Sequence, residues 1–170
     1  MQSLTNVVVI AGVGTEIGKT VATGLIAREL FKQDYDVVTQ KWIQCGSLDS
    51  TDIDAHDALS GCSYPEDIRS YRQVYSFSDP VSPHLASERE GEQIQRSHIE
   101  SALLKLSEQY DIVLVEMTGG LSVPVSRSER LIDWVQFFKL PIILVYPNIL
   151  GAINMTVVTV EWCMQKNVQC

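Results

Sequence analysis

Lys19 and Thr20 close the run Gly12-Val13-Gly14-Thr15-Glu16-Ile17-Gly18-Lys19-Thr20, whose residue types suit the binding of phosphate. A glycine-rich turn lets backbone N–H groups converge on an anion. The lysine adds a charge, and the threonine hydroxyl can reach a magnesium ion carried by the phosphates. Five residues separate Gly12 from Gly18, one more than in the common form of this loop. A dinucleotide-binding turn fits Gly12 and Gly14 but fails at Ile17, where a third glycine is needed. The reading is a site for a nucleoside triphosphate. Three further side chains suit phosphoryl transfer. Lys41, at the end of a strand, would converge with Lys19 on the transferring group. Glu116 and Asp54 offer the hard oxygens that magnesium prefers. Their plain alternatives are an exposed strand-end lysine, a solvated strand end and an acid interacting with a helix dipole.

The elements that must position these groups alternate along the chain. Val7 to Ala11 reads as a buried strand leading into the loop, and Val21 to Leu30 as the helix that follows it. Tyr35 to Lys41 is a second strand. Asp52 to Leu59 is a short helix capped by Thr51 or Ser50, with acids in its first turn. Residues 61 to 83 carry Gly61, Pro65, Pro80 and Pro83 without clean periodicity and read as loop. A helix from about Ser97 to Tyr110 buries Ile99, Leu103, Leu104 and Leu106. A strand over Ile112 to Val115 ends at Glu116, just before Gly119-Gly120. A helix over Leu131 to Phe138, a fourth strand over Pro141 to Val145 and a last helix over Ala152 to Gln165 complete the pattern. Apolar strands alternating with helices predict an α/β fold with a P-loop NTPase-like, open, mostly parallel sheet covered by helices on both faces. Residues 1 to 170 are expected to form a single domain. The sequence stops straight after its last helix, where an α/β fold usually supplies another strand, so the expectation is a sheet edge that is either unprotected or covered by a partner chain.

Composition narrows the function classes. Thirteen basic against 21 acidic side chains give a net charge of −8. That balance argues against nucleic acid or an anionic membrane as partner, because both need a basic face. Cys45, Cys62, Cys163 and Cys170 show neither metal-site nor paired spacing and read as reduced thiols, in keeping with a cytoplasmic protein. His56, His84 and His98 have no metal-ligand spacing either.

Several separated motifs share one resemblance. Gly12 to Thr20, extra residue included, resembles the phosphate loop of the dethiobiotin synthetases. Lys41-Trp42-Ile43-Gln44-Cys45-Gly46 is similar to their Lys-Pro-x-x-Thr/Ser-Gly, and Ile53-Asp54-Ala55 to their Ser-Asp-Ala turn. Ser82-Pro83-His84-Leu85-Ala86 with Glu90-Gly91, Val115 to Gly120 with Val123-Pro124, and Leu150 to Asn154 also match, in family order. The resemblance implies an ATP- and magnesium-dependent homodimer that joins carbon dioxide to 7,8-diaminopelargonic acid. A carbamate forms on one nitrogen and its oxygen attacks the γ-phosphate of ATP. The second amine then closes the cyclic urea and expels phosphate.

The same resemblance assigns roles. Lys19 and Lys41 would be catalytic, with Lys41 at the carbamate and the transferring phosphoryl group. Gly14, Thr15, Glu16, Ile17, Gly18, Lys19, Thr20 and Val21 would hold the nucleotide, with Asp54, Glu116, Met117, Thr118 and Gly119. Thr20, Asp54 and Glu116 would hold magnesium. Cys45 and Pro83 would contact the diamine, and Gly151, Ala152 and Asn154 would bind its carboxylate across the subunit interface. The chain departs from the family pattern at Gly14, Trp42, Cys45 and Met117, the last placing a side chain where backbone is expected to approach ligand. The family also runs on past Cys170 into a segment that carries its adenine contacts. Two other classes share the loop: a switch-type partitioning ATPase, which carries a second lysine where this chain has Gly14, and a non-catalytic or regulatory nucleotide-binding relative.

Overall fold

Alternation of side chains along parallel strands decides which groups meet at the site. A computed structural model describes residues 4–46 and 51–170. Its sheet has five parallel strands: β1 Val7–Gly12, β2 Val37–Cys45, β3 Gln73–Phe77, β4 Ile112–Glu116 and β5 Ile142–Val145, in the order β3-β2-β4-β1-β5. Val9, Ala11, Val38, Val113 and Val115 point into one core, whereas their neighbours Ile10, Val37 and Leu114 point into the other. This period of two places Ile10, Lys41 and Glu116 on the same face. They are also in register, since Glu116 pairs with both Lys41 and Ile10.

That face is covered by α1 (Lys19–Phe31) and α2 (Asp52–Ser60). The two helices pack closely because α1 carries Gly24, where an added Cβ would lie 2.7 Å from Cβ of Leu59 and 3.4 Å from Cα of His56. The opposite face is covered by α5 (Arg96–Ser107), α6 (Leu131–Phe138) and α7 (Ala152–Gln165). They bury Leu103, Leu106, Trp134, Phe138 and Cys163 against the sheet. Trp42 lies on this second face with its ring 6.4 Å from that of Trp134, and its indole N–H donates to Gln40.

The sequence reading differs from the structure chiefly between residues 61 and 83. This segment is no loop: it holds a 3-10 turn at Glu66–Ile68, α3 (Arg69–Arg72) and the edge strand β3. Arg72 organises it. Its buried guanidinium bonds both Asp57 oxygens at 2.9 and 2.5 Å, donates to the Thr39 carbonyl and hydroxyl, and lies 3.9 Å over the Tyr64 ring. Residues Ser82–Ala86 likewise form the cap and start of α4 (Pro83–Glu90). Lys41 does not end its strand, because β2 continues to Cys45 by pairing with β3 beyond the last residue of β4. Thr51 is the cap of α2, while Ser50, the other cap considered, lies outside the described residues. The strand read as the fourth is therefore the fifth.

Replacing a mid-helix glycine by alanine favours the helix by about 0.5–1 kcal/mol, while overpacking a tight contact costs about 1–3 kcal/mol. With Leu59 Cβ at 2.7 Å the second effect wins. Gly24→Ala is expected to lower the urea unfolding midpoint, and a raised midpoint would show that α1 and α2 separate freely.

Candidate active site

The phosphate loop turns from β1 into α1 through two left-handed residues, Glu16 (φ 55) and Gly18 (φ 94). Gly18 precedes the first turn of α1, where backbone N–H groups are free to meet an anion. Gly12 lets Ile17 and Lys19 fold close over the loop: a Cβ there would sit 2.5 Å from Cδ1 of Ile17 and 2.9 Å from Cδ of Lys19, so both side chains would have to shift. The Lys19 ammonium folds back over the loop and donates to the Gly14 carbonyl at 2.6 Å. Burial and then the charge of Lys41 lower the Lys19 pKa, opposed by Glu116 and Asp52. The two lysines thus share one electrostatic environment.

Behind the loop lies a buried polar cluster centred on Glu116. Lys41 Nζ is 2.8 Å from Glu116 Oε1 and 2.6 Å from Asp52 Oδ2. Thr20 Oγ1 stands 3.2 Å from Glu116 Oε1 and 3.3 Å from Asp52 Oδ1. His56 Nε2 meets Glu116 Oε2 at 2.6 Å. Exposure is 3% for Lys41, 2% for Glu116 and 0% for His56. Burial alone would raise the Glu116 pKa, but the His56 hydrogen bond and the Lys41 charge outweigh it and hold the carboxyl at about 2.

Asp54, the expected magnesium ligand, is elsewhere. Its carboxylate accepts from the Thr51 N–H at 3.0 Å and hydroxyl at 2.6 Å, and from Arg69 at 2.9 Å. It belongs to the N-terminal cap of α2. Asp52, two residues earlier, reaches the cluster instead. Thr20, Asp52 and Glu116 form a set of hard oxygens whose two carboxylates already pair with the Lys41 cation. Among the described residues no group of three His, Cys, Asp or Glu side chains could hold a metal unaided. The set therefore fits magnesium only as the ion is usually held beside nucleotides, with phosphate oxygens and water completing its shell.

The chain was compared with known families and structures. A family described as an AAA domain matches residues 6–170. An ATP-dependent dethiobiotin synthetase BioD 2 of Haemophilus influenzae is 38% identical over 164 residues, covering 95% of this chain and 86% of the relative. The chain belongs to the dethiobiotin synthetase family. A Haemophilus ducreyi synthetase of the same name is 39% identical, with 96% and 78% covered, and one from Chlorobaculum tepidum is 37% identical, with 95% and 69% covered. The kinase domain of the Escherichia coli tyrosine kinase ETK shares the fold, with a TM-score of 0.56 at 16% identity over 99% of this chain and 66% of that domain.

Several of the other positions expected from the synthetase resemblance lie at the same sheet edge. Cys45 ends β2 half-buried, and burial pushes its thiol up to about 11 despite Lys41. Pro83 is the buried first residue of α4. The Thr118 hydroxyl donates to the Ile43 carbonyl, fixing the loop after β4 to β2. Gly119 (φ 66) lies beside Thr15, and Gly120 packs on the phosphate loop, where its Cβ would be 3.4 Å from the Gly12 carbonyl oxygen. That glycine pair joins two loops. Met117 does not crowd the site: alternation sends it to the face opposite Glu116, where it is 1% exposed in the core. Val21 is half-exposed on the first turn of α1. Gly151 (φ 91) precedes α7, followed by Ala152 and by the exposed Asn154. No hydrogen bond among the described residues ties these three to the phosphate loop.

Asp52 and His56 are the residues that sequence reasoning missed. The signal was the spacing Thr51-x-x-Asp54, which marks Asp54 as the cap and frees Asp52; His56 then follows Asp52 by one helical turn.

A carboxylate with a depressed pKa stabilises the fold above its unfolded value and loses that contribution as pH falls through the folded one. For Glu116 the window runs from its ordinary 4.5 down to about 2. We expect acid unfolding to steepen in this window, by about 3 kcal/mol in all, and to do so less in Glu116→Gln. Equal pH profiles would show that Glu116 is not held charged.

Proposed function

We propose that this chain is a cytoplasmic dethiobiotin synthetase that carboxylates and cyclises 7,8-diaminopelargonic acid with carbon dioxide, ATP and magnesium. The observation that carries the proposal is the convergence of Lys19, Thr20, Lys41, Asp52 and Glu116 at one sheet edge, in a chain of the synthetase family. In this reading the loop N–H groups and Lys19 hold the β- and γ-phosphates. Thr20, Asp52 and Glu116 would hold magnesium, which would supply charge neutralisation at the phosphate oxygens. Lys41, paired across the strands with Glu116, stabilises the negative charge shared by carbamate and γ-phosphate as the carbamate oxygen attacks phosphorus, the bond to the β,γ-bridging oxygen breaks and ADP leaves. The second amine next attacks the carbamate carbon. The bond from that carbon to the phosphate oxygen breaks, closing the urea and releasing phosphate. Positioning and charge neutralisation supply most of what phosphoryl transfer needs.

A homodimer completes the proposal. Around the start of α7, Leu150, Ile153, Val157 and Val158 are exposed, with Leu150 fully so. A second copy seated there would cover an apolar surface and bring Gly151, Ala152 and Asn154 to its neighbour's diamine.

Phosphate release from ATP with magnesium and bicarbonate is expected to depend on the diamine and to disappear in Lys19→Ala. Lys41→Met should lower turnover by about 10²–10³. Release that ignores the diamine would favour a switch ATPase, and no release from folded protein would favour a non-catalytic relative. Asp52→Asn should raise the magnesium concentration needed for half-maximal turnover by about 10–100-fold. Asp54→Asn should leave turnover intact and cost only about 0.5–2 kcal/mol of stability, as the loss of a cap does. The reverse ranking would return Asp54 to the metal site.

A further inference from the structure

His56 is a side chain that packing alone does not explain. It is 0% exposed on α2, against the Gly24 turn of α1, a place where an aliphatic residue would fill the space without burying polar atoms. Among the described residues its Nδ1 has no hydrogen-bond partner, so one ring nitrogen is buried at a loss. The other, Nε2, lies 2.6 Å from Glu116 Oε2. Glu116 accepts at both oxygens, and among the described residues the division is clean: Oε2 meets His56, while Oε1 faces Lys41 and Thr20. With Glu116 ionised, its Oε2 can only accept, so Nε2 is the donor.

We propose that His56 is a positioning residue for the metal–nucleotide site. By donating from Nε2 to Glu116 Oε2, it fixes the carboxylate plane so that Oε1 alone is presented to the cation and to Thr20. Strand β4 sets only where the Glu116 Cα lies. The χ angles of a buried glutamate need a second anchor, and Lys41 cannot serve, because it binds the same oxygen that the metal requires. His56 supplies that anchor from a different element. It thereby ties α2, which carries Asp52 one turn earlier, to the strand that carries Glu116. Both carboxylates of the set are then held by the same helix.

The inference rests on the proposed metal site, and the experiment separates the two. Mn²⁺ binding to the protein–ATP complex is measured by electron paramagnetic resonance, and ATP binding without divalent cation by calorimetry. The proteins are wild type, His56→Gln, whose amide reaches the Nε2 position, and His56→Asn, whose amide falls short of it. His56→Asn is expected to weaken Mn²⁺ by about 10–100-fold, the usual effect of losing a group that orients a metal ligand. Metal-free ATP affinity should change less than about twofold, because positioning acts through the cation. His56→Gln should stay within about threefold of wild type. Equal Mn²⁺ affinities for all three proteins, or equal losses in both variants, would overturn the role of His56. A wild type that binds no Mn²⁺ with ATP present would overturn the metal site itself. Both variants keep a polar side chain of similar size. Should His56→Asn fail to fold, His56→Gln decides alone: a loss beyond tenfold overturns the proposal, and retention supports it.

Discussion

Glu116 is a charge placed where charges are costly, and most of the structure around the phosphate loop follows from keeping it ionised. A carboxylate at 2% exposure would normally take up a proton. Here the His56 hydrogen bond from α2 and Lys41 across the strand pair hold it well below the ordinary range, and the Thr20 hydroxyl of α1 lies against its Oε1. Removing one partner from such a buried set is far more damaging than losing a surface ion pair, because it leaves an unpaired charge in low dielectric. The cluster thus fixes the relative positions of β2, β4, α1 and α2. Those four elements carry the loop lysine, the strand lysine and both carboxylates of the set.

The arrangement also separates packing from chemistry. On one face of the sheet Ile10, Lys41 and Glu116 stand in register beneath α1. On the other, Trp42 and Met117 join Trp134 and Phe138 in the larger core. The residues at which this chain departs from its family next to Lys41 and Glu116 therefore fall on the face away from the nucleotide. Trp42 and Met117 alter the core and leave the polar cluster intact. This favours an active synthetase over a degenerate relative.

Four of the five strands, the loop and Lys19 were legible in the sequence because each leaves a local trace, an apolar run or a glycine turn; Lys41 was found although the strand boundary read there lies four residues further on. The segment from Gly61 to Pro83 was not. Its order comes from Arg72, whose partners Asp57 and Thr39 lie on other elements, and a buried arginine reads as a surface residue until those partners are known. The alternation of Tyr75 and Phe77 marked β3, but with prolines on both sides it was too short to stand out. Asp54 was chosen over Asp52 because both open α2, and only the bonds from Thr51 show which acid is the cap. His56 carries no motif at all. Its role depends on a contact to a residue 60 positions away.

If this site joins carbon dioxide to a diamine through a carbamate whose oxygen attacks the γ-phosphate, that oxygen must end in the released phosphate. The most direct measurement follows that oxygen. With ¹⁸O-labelled bicarbonate, ATP, magnesium and 7,8-diaminopelargonic acid in unlabelled water, each phosphate released should carry one ¹⁸O, together with formation of the cyclic urea. Phosphate that takes its new oxygen from water would mean simple hydrolysis and would contradict the account.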